Sequence, residues 1–518
     1  MRKSLPCVKW LVIDGLPYTL LNKYLDHNTM PCLSRAVEQG WITALDPLWP
    51  NCQTPPSLLS IWSGQSAIEH NILGYDTPDG DQAGVFRNGF VKWPNTVELV
   101  WETWARAGYD VRLNHVPFVN EENIGERLVS RSTIYGNPLY ESQVFEGSTS
   151  LQILGFDLKL STKYLSDRSA TLIVDYKDIS ITKVLSLDIF HDVALQPPLR
   201  GALTLMLTLS PIGVIEVALL GKNQYLRSGR EPARTGHPLG VDFCHDSLAK
   251  HYRSGKLGAK KSQGGNGLAE KKLFASLERV HLSFYRELLF SFMEGDADLT
   301  VGYYPVVDLA LHEIIGLEAL SSTDPDILGY FKLIMHWVES VLAILESCCR
   351  DGELFVVNSD HGMQPVTDVF YINYHLSLHG LLEFDESGNI NYSNTLAAYH
   401  PAENGTLLIH KSCDTQRVFD SICKLFKEAG FNGAEIIRVP GSLSQHDFDA
   451  SWFLLPPDGV RVKATISDRL VRPSDKSGDH CGYSNLLDLK GTLISNHAGK
   501  RPSPMKMHDI KEFIMNHG

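Results

Sequence analysis

Asp360 and His361 stand side by side, directly behind the apolar run Leu354-Phe355-Val356-Val357 and in front of Gly362. Four consecutive apolar residues read as a buried strand. In an open α/β sheet, ligand sites lie just beyond the carboxyl ends of such strands. A carboxylate beside an imidazole at that place suits a divalent metal. Alone, the fragment reads equally well as a polar turn after a core strand. The other end of the chain repeats it: Lys9-Trp10-Leu11-Val12-Ile13 is nearly all apolar, and Asp14-Gly15 comes directly after. An acidic residue again sits at a strand tip, with a glycine that lets the backbone turn.

A hydroxyl comes next. In Gln53-Thr54-Pro55-Pro56-Ser57-Leu58-Leu59-Ser60-Ile61-Trp62, Thr54 precedes a proline and is expected to be extended or in a turn. Pro56 then opens a helix that runs from Leu58 to Trp62. Thr54 would stand at the N-terminus of that helix, where free N–H groups and the helix dipole favour an anion. On its own it reads as an ordinary cap residue.

Asp14-Gly15, then Thr54 opening a helix that leads to Ser63-Gly64 and Glu69-His70-Asn71-Ile72, then Ser359-Asp360-His361-Gly362, resemble the alkaline phosphatase superfamily. Within it, the set is most similar to the type I phosphodiesterase / nucleotide pyrophosphatase family. Val306-Val307-Asp308-Leu309-Ala310-Leu311-His312 resembles that family's Asp-x-x-x-His metal motif, and Ser477-Gly478-Asp479-His480 its late Gly-x-His. The resemblance implies a two-metal site: Asp14, Thr54, Asp360 and His361 around one ion, Asp308, His312 and His480 around the other. Asp308 and His312 lie four apart, which on a helix sets both on one face. A nitrogen and oxygen ligand set fits zinc, and manganese or iron as well. Where the family usually carries an asparagine that holds a phosphate oxygen, this chain has Tyr75 in Gly74-Tyr75-Asp76, whose hydroxyl can donate a hydrogen bond. His497 is a rival to His480 as third ligand; His480 is preferred because its Gly478-Asp479 approach matches the motif.

Two divalent ions would bring about four positive charges against three from Asp14, Asp308 and Asp360, leaving about plus one before Thr54 ionises. A phosphate ester is drawn into such a cleft despite the formal net charge of −13, because the local field dominates. The expected chemistry is attack by an ionised Thr54, a phospho-threonine intermediate and hydrolysis. The expected substrate is a small-molecule phosphodiester or pyrophosphate. The same metal core also fits a phosphomonoesterase or a phosphonate hydrolase, and the non-enzymatic alternative is a catalytically silent binding protein of this fold. The sulfatase pattern is absent, since Cys52-Gln53-Thr54-Pro55-Pro56 misplaces its proline and lacks its arginine.

The 518 residues are 43% hydrophobic and 21% charged, as in ordinary globular proteins. The acidic balance offers no basic stripe for duplex nucleic acid. No apolar run is read as long enough to span a membrane. A secretory leader at Met1-Arg2-Lys3-Ser4 is rejected, because cleavage after the short apolar run would remove Asp14. Nine scattered cysteines, with no Cys-x-x-Cys pair, support neither a zinc ribbon nor a disulfide framework, and the expected compartment is the cytoplasm. The sequence assigns no oligomeric state.

The expected fold is α/β, an alkaline phosphatase-like core whose mostly parallel sheet is sandwiched by helices and interrupted by two insertions. Residues 1–118 form the first part of the core, with a helix over 96–107 and a strand over 111–118. Residues 119–268 form an inserted β-rich cap, with strand-like runs at 151–154, 170–174 and 202–209, ending in a mobile Gly/Lys/Ser loop over 254–267. Helices over 269–294 and 324–349 belong to the second part of the core, 269–362. A smaller α/β insertion fills 363–476, including an amphipathic helix over 414–429, and residues 477–518 complete the core.

Overall fold

The structure is a computed structural model that describes residues 5–80, 82–90, 97–119, 128–130, 143–153, 156–197, 202–209, 215–219, 245–293, 297–439, 444–480, 482–484, 486–497 and 505–516. Thr96, Leu154 and Glu294, which bound three of the expected elements, lie outside these residues. The chain divides into two compact units: Met1–Val111 with Asp296–Ala319 and Leu345–Gly518, and Arg112–Gly295 with Leu320–Ile344.

The first unit is built on strands that read as continuous apolar runs because they are buried on both faces. Val8–Ile13 pairs in parallel with Leu299–Tyr304 on one side and Leu354–Asn358 on the other. Gly491–Ser495 runs antiparallel to Leu354–Asn358, and Trp41–Leu45 runs antiparallel to Gly491–Ser495. Four of these five strands therefore point the same way, and the sheet is mostly parallel. Register sets where the strands end. Val12 faces Tyr303 and Asn358, so three parallel strands end level, and Asp14, Asp360 and the helix Val306–Ile314 all begin at that one edge.

The 363–476 region supplies an antiparallel sheet ordered Ala397–Tyr399, Thr406–His410, Phe448–Leu455 and Glu435–Arg438. Helix Thr415–Glu428 is capped by Asp414, whose side chain accepts from Gln416 N, and it buries Val418, Ile422, Leu425 and Phe426. That spacing is one helical face. Phe426 stacks on Phe370, ring centroids 4.0 Å apart. Phe370 belongs to a separate small sheet in which Val460–Lys463 and Val471–Pro473 flank Asp368–Tyr371.

In the second unit the strand-rich texture resolves into two four-stranded antiparallel sheets. One is ordered Ile179–Ser186, Ser169–Tyr176, Phe156–Ser166, Ser148–Ile153; the other Phe190–Ala194, Ala202–Leu209, Ile215–Leu219, Gln143–Glu146. Ala170, Leu172, Val174 and Tyr176 alternate inward, and they share one core with Val193, Leu203, Leu205, Leu207 and Val217 of the other sheet. Period-two alternation is what a half-buried strand requires. The 254–267 segment, expected to be a mobile loop, contains a 3-10 turn, Lys261–Gln263. The Lys261 ammonium lies 2.7 Å from Asp324 and 2.9 Å from Asp326, so charge pairing pins what composition reads as linker.

One sequence expectation is amended. Helix Pro325–Cys348 is long and apolar enough to cross a membrane by length and composition, with 56% of its most apolar window buried in the fold. Core helices of globular proteins have the same property. Interrupting charges at Lys332 and Glu339 kept it from reading as one apolar run.

Candidate active site

Three strand ends and one helix bring two buried clusters together. Asp14, Asp360 and His361 form one, and Asp308, His312 and His480 the other; within each, the candidate ligand atoms lie within 4.8 Å of one another. Gly15 makes the approach possible. It has φ +65°, and a Cβ there would meet Asp308 Cβ at 2.8 Å and Cα at 2.9 Å. Its N–H donates to Asp360 Oδ1 at 3.1 Å, while Asp308 N–H donates to Asp14 O at 3.2 Å.

Every imidazole is oriented by a backbone carbonyl. His361 Nδ1–H donates to Gly362 O at 2.8 Å, His312 Nδ1–H to Gly478 O at 2.8 Å, and His480 Nδ1–H to Cys52 O at 3.3 Å. A carbonyl only accepts, so the hydrogen sits on Nδ1 and each Nε2 turns a lone pair toward the clusters. His361 and His480, one from each cluster, stack with ring centroids 3.6 Å apart and planes 9° from parallel.

The carboxylates are arranged in the same sense. Tyr303 donates its hydroxyl hydrogen to Asp14 Oδ2. Asp14 Oδ1, Asp308 Oδ1 and Asp360 Oδ2 are buried and accept no hydrogen bond among the described residues. Asp14 Oδ1 lies 3.2 Å from His361 Nε2, and Asp308 Oδ1 lies 3.5 Å from His480 Nε2. Lone pairs thus oppose lone pairs, an arrangement that calls for a cation between them. Burial, then the Asp14 charge, pushes Asp308 and Asp360 well above the usual carboxylate range. Burial, then Lys476, holds His312 well below its ordinary value; burial, then His361, does so for His480. Burial also pulls on His361, but the Asp14 carboxylate beside it outweighs that pull and leaves the imidazole raised. The residues fit two divalent ions.

Thr54 sits in the first turn of helix Thr54–Ser63, and the extended residue before the helix is Gln53. The expectation of an extended or turn Thr54 is corrected. Pro55 and Pro56 fit the first turn because no N–H is needed there, and the helical start absorbs the pre-proline preference. The same prolines weaken the expected anion site. They remove two N–H groups, and Ser57 N–H is committed to Gln53 O at 3.1 Å, leaving the Thr54 N–H, the dipole and the clusters to attract an anion. Thr54 Oγ1 is buried 3.2 Å from His361 Nε2 and 2.8 Å from the Tyr75 hydroxyl. Tyr75 N–H donates to Gln53 Oε1 at 2.9 Å, which ties its loop to the residue before Thr54.

His480 arrives on a two-residue strand, Gly478–Asp479, paired antiparallel with Gln364–Pro365. The rival His497 lies against Phe513, ring centroids 6.2 Å apart, and belongs to neither cluster. Tyr303 and the three carbonyls were missed by sequence reasoning. A carbonyl carries no sequence signal, and Tyr303 meets Asp14 only through strand register.

Strand-tip carboxylates, inward imidazoles and a hydroxyl at a helix start define a phosphoric ester hydrolase of the alkaline phosphatase superfamily. The model of the type I phosphodiesterase / nucleotide pyrophosphatase family matches residues 9–173 and 235–428, well over half of the chain, and the protein belongs to that family. The match includes Asp14, Thr54, Asp308, His312, Asp360 and His361, and ends before His480. Among solved structures, phosphonoacetate hydrolase from Sinorhizobium meliloti 1021, in complex with phosphonoformate, aligns over 99% of this chain and 95% of its own at 13% identity and a TM-score of 0.47. Murine ectonucleotide pyrophosphatase / phosphodiesterase 5 aligns over 98% and 94%, at 11% identity and a TM-score of 0.47. No curated protein matches the chain.

Proposed function

We propose that the protein is a two-metal phosphodiesterase that cleaves a small-molecule phosphodiester or pyrophosphate through a phospho-Thr54 intermediate. The observation that carries this reading is the buried Thr54 hydroxyl, 3.2 Å from His361 Nε2, at the edge of two clusters with orphaned carboxylate oxygens. Asp14, Asp360, His361 and Thr54 would hold one ion, and Asp308, His312 and His480 the other; the nitrogen and oxygen donor set favours zinc. Bound ions would lower the pKa of the hydroxyl and neutralise the phosphate oxygens.

The chain's own groups do the rest. The helix start and its two prolines fix Thr54 so that Oγ attacks phosphorus in line, forming the Thr54–phosphorus bond as the bond to the leaving oxygen breaks. Tyr75 donates from its hydroxyl to the nucleophile in the resting site, and to a phosphoryl oxygen once substrate is bound. Water then cleaves phospho-Thr54 and returns the hydroxyl.

Thr54→Ala should lower kcat on bis(p-nitrophenyl) phosphate at least about a thousandfold, and Thr54→Ser should keep measurable turnover. Metal content, measured alongside, should stay near two ions in the serine variant. Near-normal turnover by a metal-loaded alanine variant would sink the nucleophile assignment.

A further inference from the structure

Asn51, Cys52 and Gln53 run straight into Thr54, and all three are buried. Asn51 has the widest reach. Its Nδ2 donates to Leu73 O at 2.9 Å and to Asn404 O at 3.2 Å, and its Oδ1 accepts from Gly482 N–H at 3.0 Å. Carbonyls only accept and a backbone N–H only donates, so these partners fix which way the carboxamide points. Leu73 stands just before Gly74-Tyr75, and Gly482 just after His480. The turn at Gly74 has no room to shift, because a Cβ there would run into Gln53 Oε1 and Asn404 Cβ.

Cys52 grips the His480 segment directly. Its thiol donates to His480 O at 2.8 Å, with Gly482 O at 3.1 Å, and its N–H donates to Gly482 O at 3.3 Å. Its own carbonyl is the one that accepts from His480 Nδ1, so a single residue holds His480 by backbone and by ring. The carbonyl that orients this imidazole is therefore part of a segment anchored by the Asn51 carboxamide on one side and by the helix start at Thr54 on the other. In-line displacement between two ions requires one spacing between the nucleophile and both of them. Thr54 stands against the His361 cluster, whereas His480 belongs to the other. We propose that Asn51 and Cys52 are positioning residues that set the His480 imidazole, and with it the ion of the Asp308 cluster, at a fixed place relative to Thr54. This rests on the two-metal reading above and adds to it two residues that would touch neither substrate nor ion.

The test reads the two ions separately, by competition with a chromophoric chelator, and the ion lost in His480→Ala identifies the site concerned. In Asn51→Ala and in Cys52→Ala, affinity for that ion should fall at least about tenfold. The other ion, held by Asp14, Asp360 and His361, should stay within about threefold. Cys52→Ser, whose hydroxyl still donates, should keep both affinities within about threefold of the wild type. Residues that merely pack would weaken both ions alike, and serine would serve no better than alanine. Nitrogen NMR of histidine-labelled protein adds a readout free of metal and turnover. His480, assigned by its loss in His480→Gln, should carry its hydrogen on Nδ1 in the wild type and in Cys52→Ser, and should share it between both nitrogens in the two alanine variants. If Asn51→Ala does not fold, the Cys52 pair decides. If the wild type binds fewer than two ions, the two-metal reading fails, and the His480 tautomer alone decides the role of Asn51 and Cys52. Equal weakening of both ions, a Cys52→Ala that matches Cys52→Ser, or a His480 tautomer unchanged in the alanine variants overturns the proposal.

Discussion

Tyr303 holds one oxygen of Asp14 through its hydroxyl and leaves the other facing His361, so a single buried proton donor sets the direction of a candidate metal ligand. Outer partners of this kind tune affinity as well as orientation. Tyr303→Phe should therefore weaken one ion by about 10–100-fold while the other, held by Asp308, His312 and His480, keeps its affinity. Competition with a chromophoric chelator reads both sites, and equal weakening of the two would show that Tyr303 acts on the fold and not on Asp14. At this scale the sequence was informative where chemistry is local. Asp14 and Asp360 announce themselves as carboxylates behind apolar runs, and Thr54 by the prolines after it. Asp308 and His312 do so by a spacing of four. Tyr303 gave no such sign, for it reaches Asp14 through strand register and stands within no recognisable pattern.

The two-residue strand Gly478–Asp479 shows what a short element can fix. A Cβ on Gly478 would meet the Leu311 carbonyl oxygen at 2.8 Å and Met363 Cγ at 3.1 Å, and Gly478 O accepts from His312. Backbone there cannot yield, so Gly478→Ala should cost about 1–3 kcal/mol and displace both His312 and His480. Elemental analysis should find the metal content falling from near two ions per chain to near one, with the Asp14 cluster still loaded; two ions retained would contradict this account of the strand. Two residues are too few for any periodicity to appear, so this strand was not legible in the sequence. The longer elements were legible. Thr415–Glu428 carries a helical apolar face, and Ser169–Tyr176 alternates strictly. How eight such strands divide into two sheets over one core was not legible, since the pairing of Gln143–Glu146 with Ile215–Leu219 joins residues whose local patterns say nothing of each other.

Across the whole molecule, burial has left several histidines neutral far from the clusters. Burial lowers His70 and His115 to about 3, and His281 and His400 to about 4. His70 has both ring nitrogens engaged in that form, Nε2 with Ser60 Oγ at 2.9 Å and Nδ1 accepting from Ile72 N–H at 3.2 Å. Unfolded, each titrates near 6.5, so between the folded and unfolded values the unfolded chain binds protons that the folded one does not. Their stabilising contribution is complete above about pH 6.5 and is lost as pH falls toward 4, by up to about 1.4 kcal/mol per unit for each group. The urea midpoint of chelator-treated protein should drop steeply between pH 7 and pH 5, where metal release plays no part. A flat profile would mean these histidines are protonated when folded. The distribution of the site along the chain carries one more consequence, in the order of synthesis. The ligands of one cluster have all been made once His361 is added, whereas the other waits for His480, about 120 residues or ~6–24 s later at ordinary ribosomal rates. During that interval the nascent chain should load one ion only. A ribosome stalled inside that stretch would carry a half-charged, inactive enzyme, so radiolabelled metal bound to arrested chains should step from one equivalent to two only when His480 has cleared the exit tunnel.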